Sequence, residues 1–323
     1  MSATLHPSAY RAPAWLPDGH SQTIYPALCL GGARPAYQRE RWATPDGGEI
    51  TVDRLPGRQG MPLLWLLHGL EGGSDSHYAR ALMRAAQARG WHGVVSHFRG
   101  CGGAVNTLPR AYHAGDSAEV AWLLARLASE GRPVCAVGVS LGGNMLLKHL
   151  GEAGASAPLC AAAAVSAPLD LAAAGRMLER GLARQLYTRM FLRTLKPASL
   201  ATARRHPGLI DVRRAQASRT LREFDDAVTA PLHGFAGVED YWARASAKPW
   251  LRQIARPTLV LNARNDPFLP ATALPGPDQA SAAVTLEFPA EGGHVGFASG
   301  GFPGRLDWLP QRLLDFFAPH VPH

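Results

Sequence analysis

Short apolar runs recur along the chain, separated by amphipathic stretches. PLLWLLHG at 62–69, HGVVSHF at 92–98, VCAVGVS at 134–140, AAAAVSA at 161–167, PTLVLNA at 257–263 and VTLEF at 284–288 are short and nearly free of charge. Runs of this kind read as strands buried on both faces. Between the first four lie YARALMRAAQARG, AEVAWLLARLASEG and LGGNMLLKHLGEAG, each with helical periodicity and a glycine near its end. Strand, helix and strand in series predict right-handed crossovers and a parallel sheet covered by helices on both faces. Upstream, YQRERWATPDGGEITVDRL (Tyr37 to Leu55) alternates around a PDGG turn and predicts a β-hairpin at one sheet edge. The first 35 residues are rich in Pro and Gly, with aromatic anchors at Trp15 and Tyr25, and read as irregular structure wrapping the core.

The alternation stops between about Asp170 and Arg252, where Arg, Leu and Ala dominate, and resumes at Pro257. The stretch reads as several helices inserted between the fourth and fifth parallel strands. Such an insertion lies over the carboxyl ends of the strands, where open α/β sheets bind ligands. The expectation is therefore a single domain over residues 1–323: an α/β fold with a mostly parallel sheet flanked by helices, and a helical lid at about 170–252. The other reading of the insertion is extra helices packed on the sheet.

Composition narrows this picture. The formal charge is +8, yet only three of the 33 basic residues are lysines, and the arginines are spread along the chain without forming a basic stripe. That distribution argues against nucleic acid and fits a basic surface that aids solubility, with anionic substrates or membranes as the alternatives. The four cysteines (Cys29, Cys101, Cys135 and Cys160) are far apart and include no CxxC, so free thiols are expected. The N-terminus has no continuous apolar h-region, and no window reaches the 18 or so apolar residues of a membrane helix. A cytoplasmic protein without stable membrane insertion is the expectation.

One junction carries chemistry. In Gly138-Val139-Ser140-Leu141-Gly142 a serine stands between an apolar run and a helix pattern. Glycines two before and two after suit a sharp strand-to-helix turn, where larger side chains would collide with neighbouring elements. GxSxG alone is a weak signal, but its setting is specific and marks Ser140 as a candidate nucleophile rather than an ordinary N-cap serine.

A serine hydroxyl needs a base, and the base needs an orienting acid. On such a sheet the order is Ser, acid, His. His294, in the late loop EGGHVGF, is the candidate base, and Asp266, after PTLVLNA in NARNDPF, is the candidate acid. Asp170 is the rival acid and reads as a helix cap; His20, His77, His113 and His233 read as structural or surface histidines. The oxyanion donors expected are the backbone N–H of Leu141, at its helix N-terminus, and that of Leu70, in the loop LLHGLEGGSDSHY. His68 is expected to shape that loop, and Arg99 in FRGCGGAVN to tie loops together.

With these residues in view, the chain resembles the α/β-hydrolase superfamily and, within it, the YheT-like esterase branch. HGLEGGSDSHYARAL, GWHGVVSHFRGCGG, PRAYHAGDSAEV, GVSLGGNMLLKHL, REFDDAVTAPLHGF and NARNDPFLP through GGHVGF are similar to that group's blocks in the same order. The acid motif departs slightly, with Arg-Asn-Asp before the proline where two acidic residues are commoner. The resemblance implies that Ser140, Asp266 and His294 form a charge-relay set that hydrolyses carboxylic esters of short- to medium-chain acids or acylglycerols. No metal or organic cofactor is implied, and the partner is a small-molecule ester. An acyltransferase on the same scaffold and a non-catalytic ligand-binding protein are the alternatives.

Overall fold

A computed structural model describes residues 2–322 of the chain. Nine strands form one sheet: β1 (Thr4–Leu5), β2 (Gln38–Ala43), β3 (Glu49–Leu55), β4 (Leu63–Leu67), β5 (His92–Ser96), β6 (Val134–Val139), β7 (Ala161–Val165), β8 (Thr258–Leu261) and β9 (Val284–Glu287). Their spatial order is β1-β9-β8-β7-β6-β4-β5-β3-β2. The pairs β2/β3 and β3/β5 are antiparallel and all the others are parallel, so the expected hairpin forms one edge.

Each central strand feeds two cores. In β4, Leu63, Trp65 and Leu67 pack on one face of the sheet, and Leu64 and Leu66 on the other. In β6, Val134 and Ala136 face the first core while Cys135, Val137 and Val139 face the second. Burying a Leu or Val side chain stabilises by about 1.5–3 kcal/mol relative to exposure. Both faces therefore demand apolar residues, which is why these strands show no polar alternation. The crossovers α2 (His77–Ala88), α3 (Ser117–Ala128) and α4 (Leu141–Ala153) cover the faces as expected. The four cysteines are free thiols.

The N-terminal segment departs from the expectation of irregular structure. β1 adds a parallel edge strand beside β9, pairing Thr4 with Thr285 and Leu5 with Leu286. A helix, α1 (Gly19–Cys29), follows, started by a capping box between Asp18 and Ser21. Its buried residues are Gln22, Thr23 and Pro26, so no apolar period announces it in the sequence.

Between β7 and β8 every regular element is helical, beginning with α5 (Leu171–Leu178) and including the long helix Arg189–Arg205 and the helix Val238–Ala245. Asp170 caps α5 by accepting from the Ala173 N–H at 2.9 Å. The insertion has its own small clusters, one built on Leu192, Phe224 and Val228 and another on Leu171, Tyr241 and Trp242. The REFDD stretch stitches them together: partly buried Asp225 accepts from Trp242 Nε1 at 2.9 Å and Thr229 Oγ1 at 2.7 Å, and Asp226 accepts from the Val238 N–H at 3.1 Å. Asn144 of α4 joins the insertion to the sheet. Fully buried, it donates to Ala114 O and Ala245 O and accepts from the Ala247 N–H.

Candidate active site

Ser140 ends β6 and opens α4 with φ 52° and ψ −120°, a left-handed region that L-residues enter only under constraint. The constraint is close packing. A Cβ on Gly142 would lie 2.5 Å from the carbonyl oxygens of both Leu67 and His68, at the end of β4. A Cβ on Gly138 would lie 2.5 Å from Gly142 O and 2.6 Å from Gly143 Cα. The turn is held by Ser140 N–H donating to Val165 O at 2.8 Å.

The three residues singled out as nucleophile, base and acid come together although they are far apart in sequence. His294 Nε2 lies 2.9 Å from Ser140 Oγ, and His294 Nδ1 lies 2.9 and 3.2 Å from the two carboxylate oxygens of Asp266. Asp266 is 3% exposed. The carboxylate assigns the proton to Nδ1, which leaves the Nε2 lone pair facing the serine hydroxyl. Asp266 also accepts from the Phe268 N–H at 2.8 Å, and the Phe268 ring stacks on the imidazole at 3.8 Å and 9°. A second buried Asp–His pair exists nearby, but there Ser74 Oγ and His97 Nε2 both bond Asp53 Oδ2 rather than each other. That arrangement cannot pass a proton from serine to histidine.

The loop carrying His294 rests on α1. Successive N–H groups of Gly292, Gly293 and His294 donate to Gln22 Oε1 (2.8 Å), Asn265 Oδ1 (3.0 Å) and Thr23 Oγ1 (2.8 Å). Gln22 Oε1 also accepts from Asn265 Nδ2 at 2.9 Å, which links the helix to the loop bearing Asp266. The N-terminal segment thus has a positioning part that the sequence did not disclose, since a polar face on a capped helix was its one signal.

The loop after β4 lies against the elbow: a Cβ on Gly69 would be 3.2 Å from Ser140 Cβ. Leu70 and Leu141 both line the cavity at Ser140. Two partly buried tyrosines brace this loop, and neither was singled out from sequence. Tyr78 Oη accepts from the Gly69 N–H at 2.9 Å and Tyr112 Oη from the Glu71 N–H at 3.2 Å, while Tyr112 donates to the Glu71 carboxylate. The N–H groups on either side of Leu70 are therefore engaged by tyrosine oxygens, leaving the Leu70 N–H between them.

His68 is fully buried, with Nδ1 2.7 Å from Gly69 O and Nε2 accepting from the Phe98 N–H at 3.1 Å. Arg99 is buried in an ion pair with Glu119 and lies 3.1 Å from Asp46. His20 meets Tyr187 Oη at 3.0 Å, and His113 packs against His233 with ring centroids 4.5 Å apart.

Two cavities open from Ser140. One, of about 560 Å³, runs under the inserted helices past Leu178, Phe191, Phe224 and Trp242. The other, of about 350 Å³, lies between α1, α2 and the long inserted helix and has His294, His77, Leu186 and Met190 in its wall. Both are within the size range of small-molecule sites, about 300–1,000 Å³.

Burial makes two nearby histidines acid-sensitive. His68 is pushed down to about 3 and His77 to about 4, in both cases chiefly by desolvation of the charged form. Their ordinary value is about 6.5. Below that value the unfolded chain binds protons that the folded chain refuses, so stability present at neutral pH is lost as pH falls from about 6.5 toward 4. The melting temperature is expected to drop across this window and His77→Gln to flatten the slope; an unchanged slope in that variant would remove His77 from the account.

The family model described as alpha/beta hydrolase fold matches residues 62–300. The Escherichia coli protein named "Putative esterase YheT" is 39% identical over 309 residues, covering 94% of this chain and 91% of its own. Mouse phospholipase ABHD3 is 30% identical over 327 residues, covering 97% and 79%. A yeast protein named medium-chain fatty acid ethyl ester synthase/esterase 2 is 31% identical over 288 residues, covering 80% and 62%. Among solved structures, the Pyrococcus furiosus esterase Pf2001 superposes with a TM-score of 0.58 at 15% identity, covering 88% of this chain and 93% of its own, and shares the fold. Among the described residues, no helix is long and apolar enough to cross a membrane. A GxSxG elbow on a mostly parallel sheet, with a matching family model over most of the chain, leads to one conclusion: this chain belongs to the α/β-hydrolase family, and its relatives include proteins named as esterases and phospholipases.

Proposed function

We propose that this hydrolase cleaves carboxylic esters through an acyl-enzyme formed on Ser140. The observation that supports this most directly is the hydrogen-bonded chain Asp266–His294–Ser140 opening onto two apolar-walled cavities. In this reading His294 Nε2 takes the hydroxyl proton as Ser140 Oγ attacks the ester carbonyl carbon, and Asp266 stabilises the imidazolium. The carbonyl electron pair moves onto oxygen, which receives the N–H groups of Leu70 and Leu141. Collapse of this intermediate breaks the bond to the alkoxy oxygen, which takes the proton from His294. Water then attacks the acyl-enzyme by the same route, releasing the acid and regenerating Ser140.

The leaving oxygen must sit beside His294, which lines the smaller cavity. The alcohol portion therefore occupies that cavity, and the acyl chain occupies the larger one beneath the inserted helices, which serve as its lid. A second reading has a specific support: one relative is named as both a synthase and an esterase of ethyl esters. On the same machinery an alcohol in the smaller cavity would replace water, making an ester in place of an acid.

A series of p-nitrophenyl esters from acetate to palmitate, with and without added ethanol, tests both. Hydrolysis with an optimum at short to medium chains supports the esterase, and ethyl esters formed far beyond the share of ethanol relative to water support transfer. Absence of turnover on every chain length would overturn the proposal.

A further inference from the structure

The residues around the mouth of the smaller cavity combine two features that the catalytic reading does not use. The first is exposed apolar surface on a ridge. Leu182, Leu186 and Met190 are spaced four apart on the helical run that begins at Gly181, and they are 58%, 43% and 53% exposed. Across the mouth, Leu28 of α1 is 79% exposed. Leu28, Leu186 and Met190 also line the cavity that holds Ser140 and His294. Exposed leucines clustered at an opening are unlike the scattered apolar residues of an ordinary surface.

The second feature is charge. Between Arg176 and Arg205 the chain has seven arginines and Lys196 against a single acid, Glu179. Glu179 is taken by Arg222 at 3.2 Å. Arg176, Arg180, Arg184, Arg189 and Arg193 are exposed, and among the described residues none of the five enters an ion pair. Arg189 and Arg193 stand one helical turn beyond Leu186 and Met190, so cations flank the apolar stripe.

We infer that this face docks reversibly on an anionic lipid surface, with the apolar stripe entering the headgroup boundary and the arginines meeting lipid phosphates. A helix that carries arginine beside exposed Leu and Met has the makeup of one lying in the interface plane, and its cations are drawn to anionic leaflets. The charge selects among occupants. A second copy would present the same uncompensated arginines and be repelled, and a nucleic acid would leave the leucines in water. Docking would put the mouth of the smaller cavity against the lipid, so that an ester enters without crossing water. That last step rests on the hydrolase reading above; docking itself does not.

The test is co-sedimentation of the full chain with vesicles of phosphatidylglycerol and phosphatidylcholine in equal parts, against vesicles of phosphatidylcholine alone. Binding is expected on the anionic vesicles and is expected to fade as salt rises from about 0.1 M to 1 M, where the Debye length shrinks from about 10 Å to 3 Å. The double variant Arg189→Gln/Arg193→Gln should bind on the order of 30-fold more weakly, at about fivefold per cation. Leu182→Ser, which removes only apolar surface, should also weaken binding. None of these three residues lines either cavity, so hydrolysis of a soluble ester should be unchanged in both variants. Equal binding to neutral vesicles, binding untouched by the substitutions, or no binding would each overturn the docking inference. Ser140→Ala should bind like the parent, so a failure of the hydrolase reading would leave this result standing and be told apart from it.

Discussion

Ser140→Ala is expected to fold like the parent and to lose ester hydrolysis by on the order of 10⁶-fold in kcat, the scale for removing an activated serine. Asp266→Asn should cost about 10⁴-fold, because the amide cannot hold His294 in the tautomer that leaves Nε2 free. The difference follows from the geometry. Ser140 Oγ, 2.9 Å from His294 Nε2, is the atom that forms the bond, whereas Asp266 acts through the imidazole. Steady-state rates on one p-nitrophenyl ester, with circular dichroism to verify folding, make the comparison. Full activity in Ser140→Ala would remove the acyl-enzyme. A loss in Asp266→Asn equal to that of Ser140→Ala would indicate that the acid does more than orient the base.

The second large effect concerns folding. Gly142→Ala adds one methyl carbon at a point 2.5 Å from two backbone oxygens of the β4 end, His68 and Leu67. Neither oxygen can move without breaking the centre of the sheet, where β4 pairs with both β5 and β6. The start of α4 must then shift instead, and the strained Ser140 turn shifts with it. A destabilisation above about 4 kcal/mol is expected, in the range reserved for a few severe mechanisms, together with loss of soluble protein or of activity. Gly131→Ala serves as the contrast. Its added Cβ would meet nothing within 4 Å, so its cost comes only from a φ of 76°. Denaturant unfolding of the two variants decides; equal stabilities would mean that the elbow tolerates the clash.

The parallel core was legible because burial on both faces leaves a crude trace: runs of apolar residues such as LLWLL in β4 and VCAVGV in β6. The elbow was legible because close packing permits only glycine at 138 and 142, which makes a geometric requirement visible as composition. His294 and Asp266 were found through chain order and position after strands. The segment around α1 was not legible. Its helix buries Gln22 and Thr23, so it shows no apolar stripe, and its partners lie some 270 positions away, as between Gln22 and Gly292. Tyr78 and Tyr112 escaped for the same reason. Each is an ordinary aromatic residue by pattern, and its hydroxyl gains meaning only from the loop N–H that it meets.

By itself, then, the sequence determined the α/β-hydrolase class, the parallel strands, the place of the helical insertion and the candidate set Ser140, Asp266 and His294. Each of these leaves a local signature in periodicity, glycine placement or motif order. Only the tertiary structure decided that His294 meets both partners, that α1 holds its loop, that two cavities meet at the serine, and that exposed Leu28, Leu186 and Met190 line one of them. Those are relations between distant segments. A hydrogen bond or a cavity wall depends on which surfaces the packed core brings within a few ångströms, and no local pattern encodes that distance.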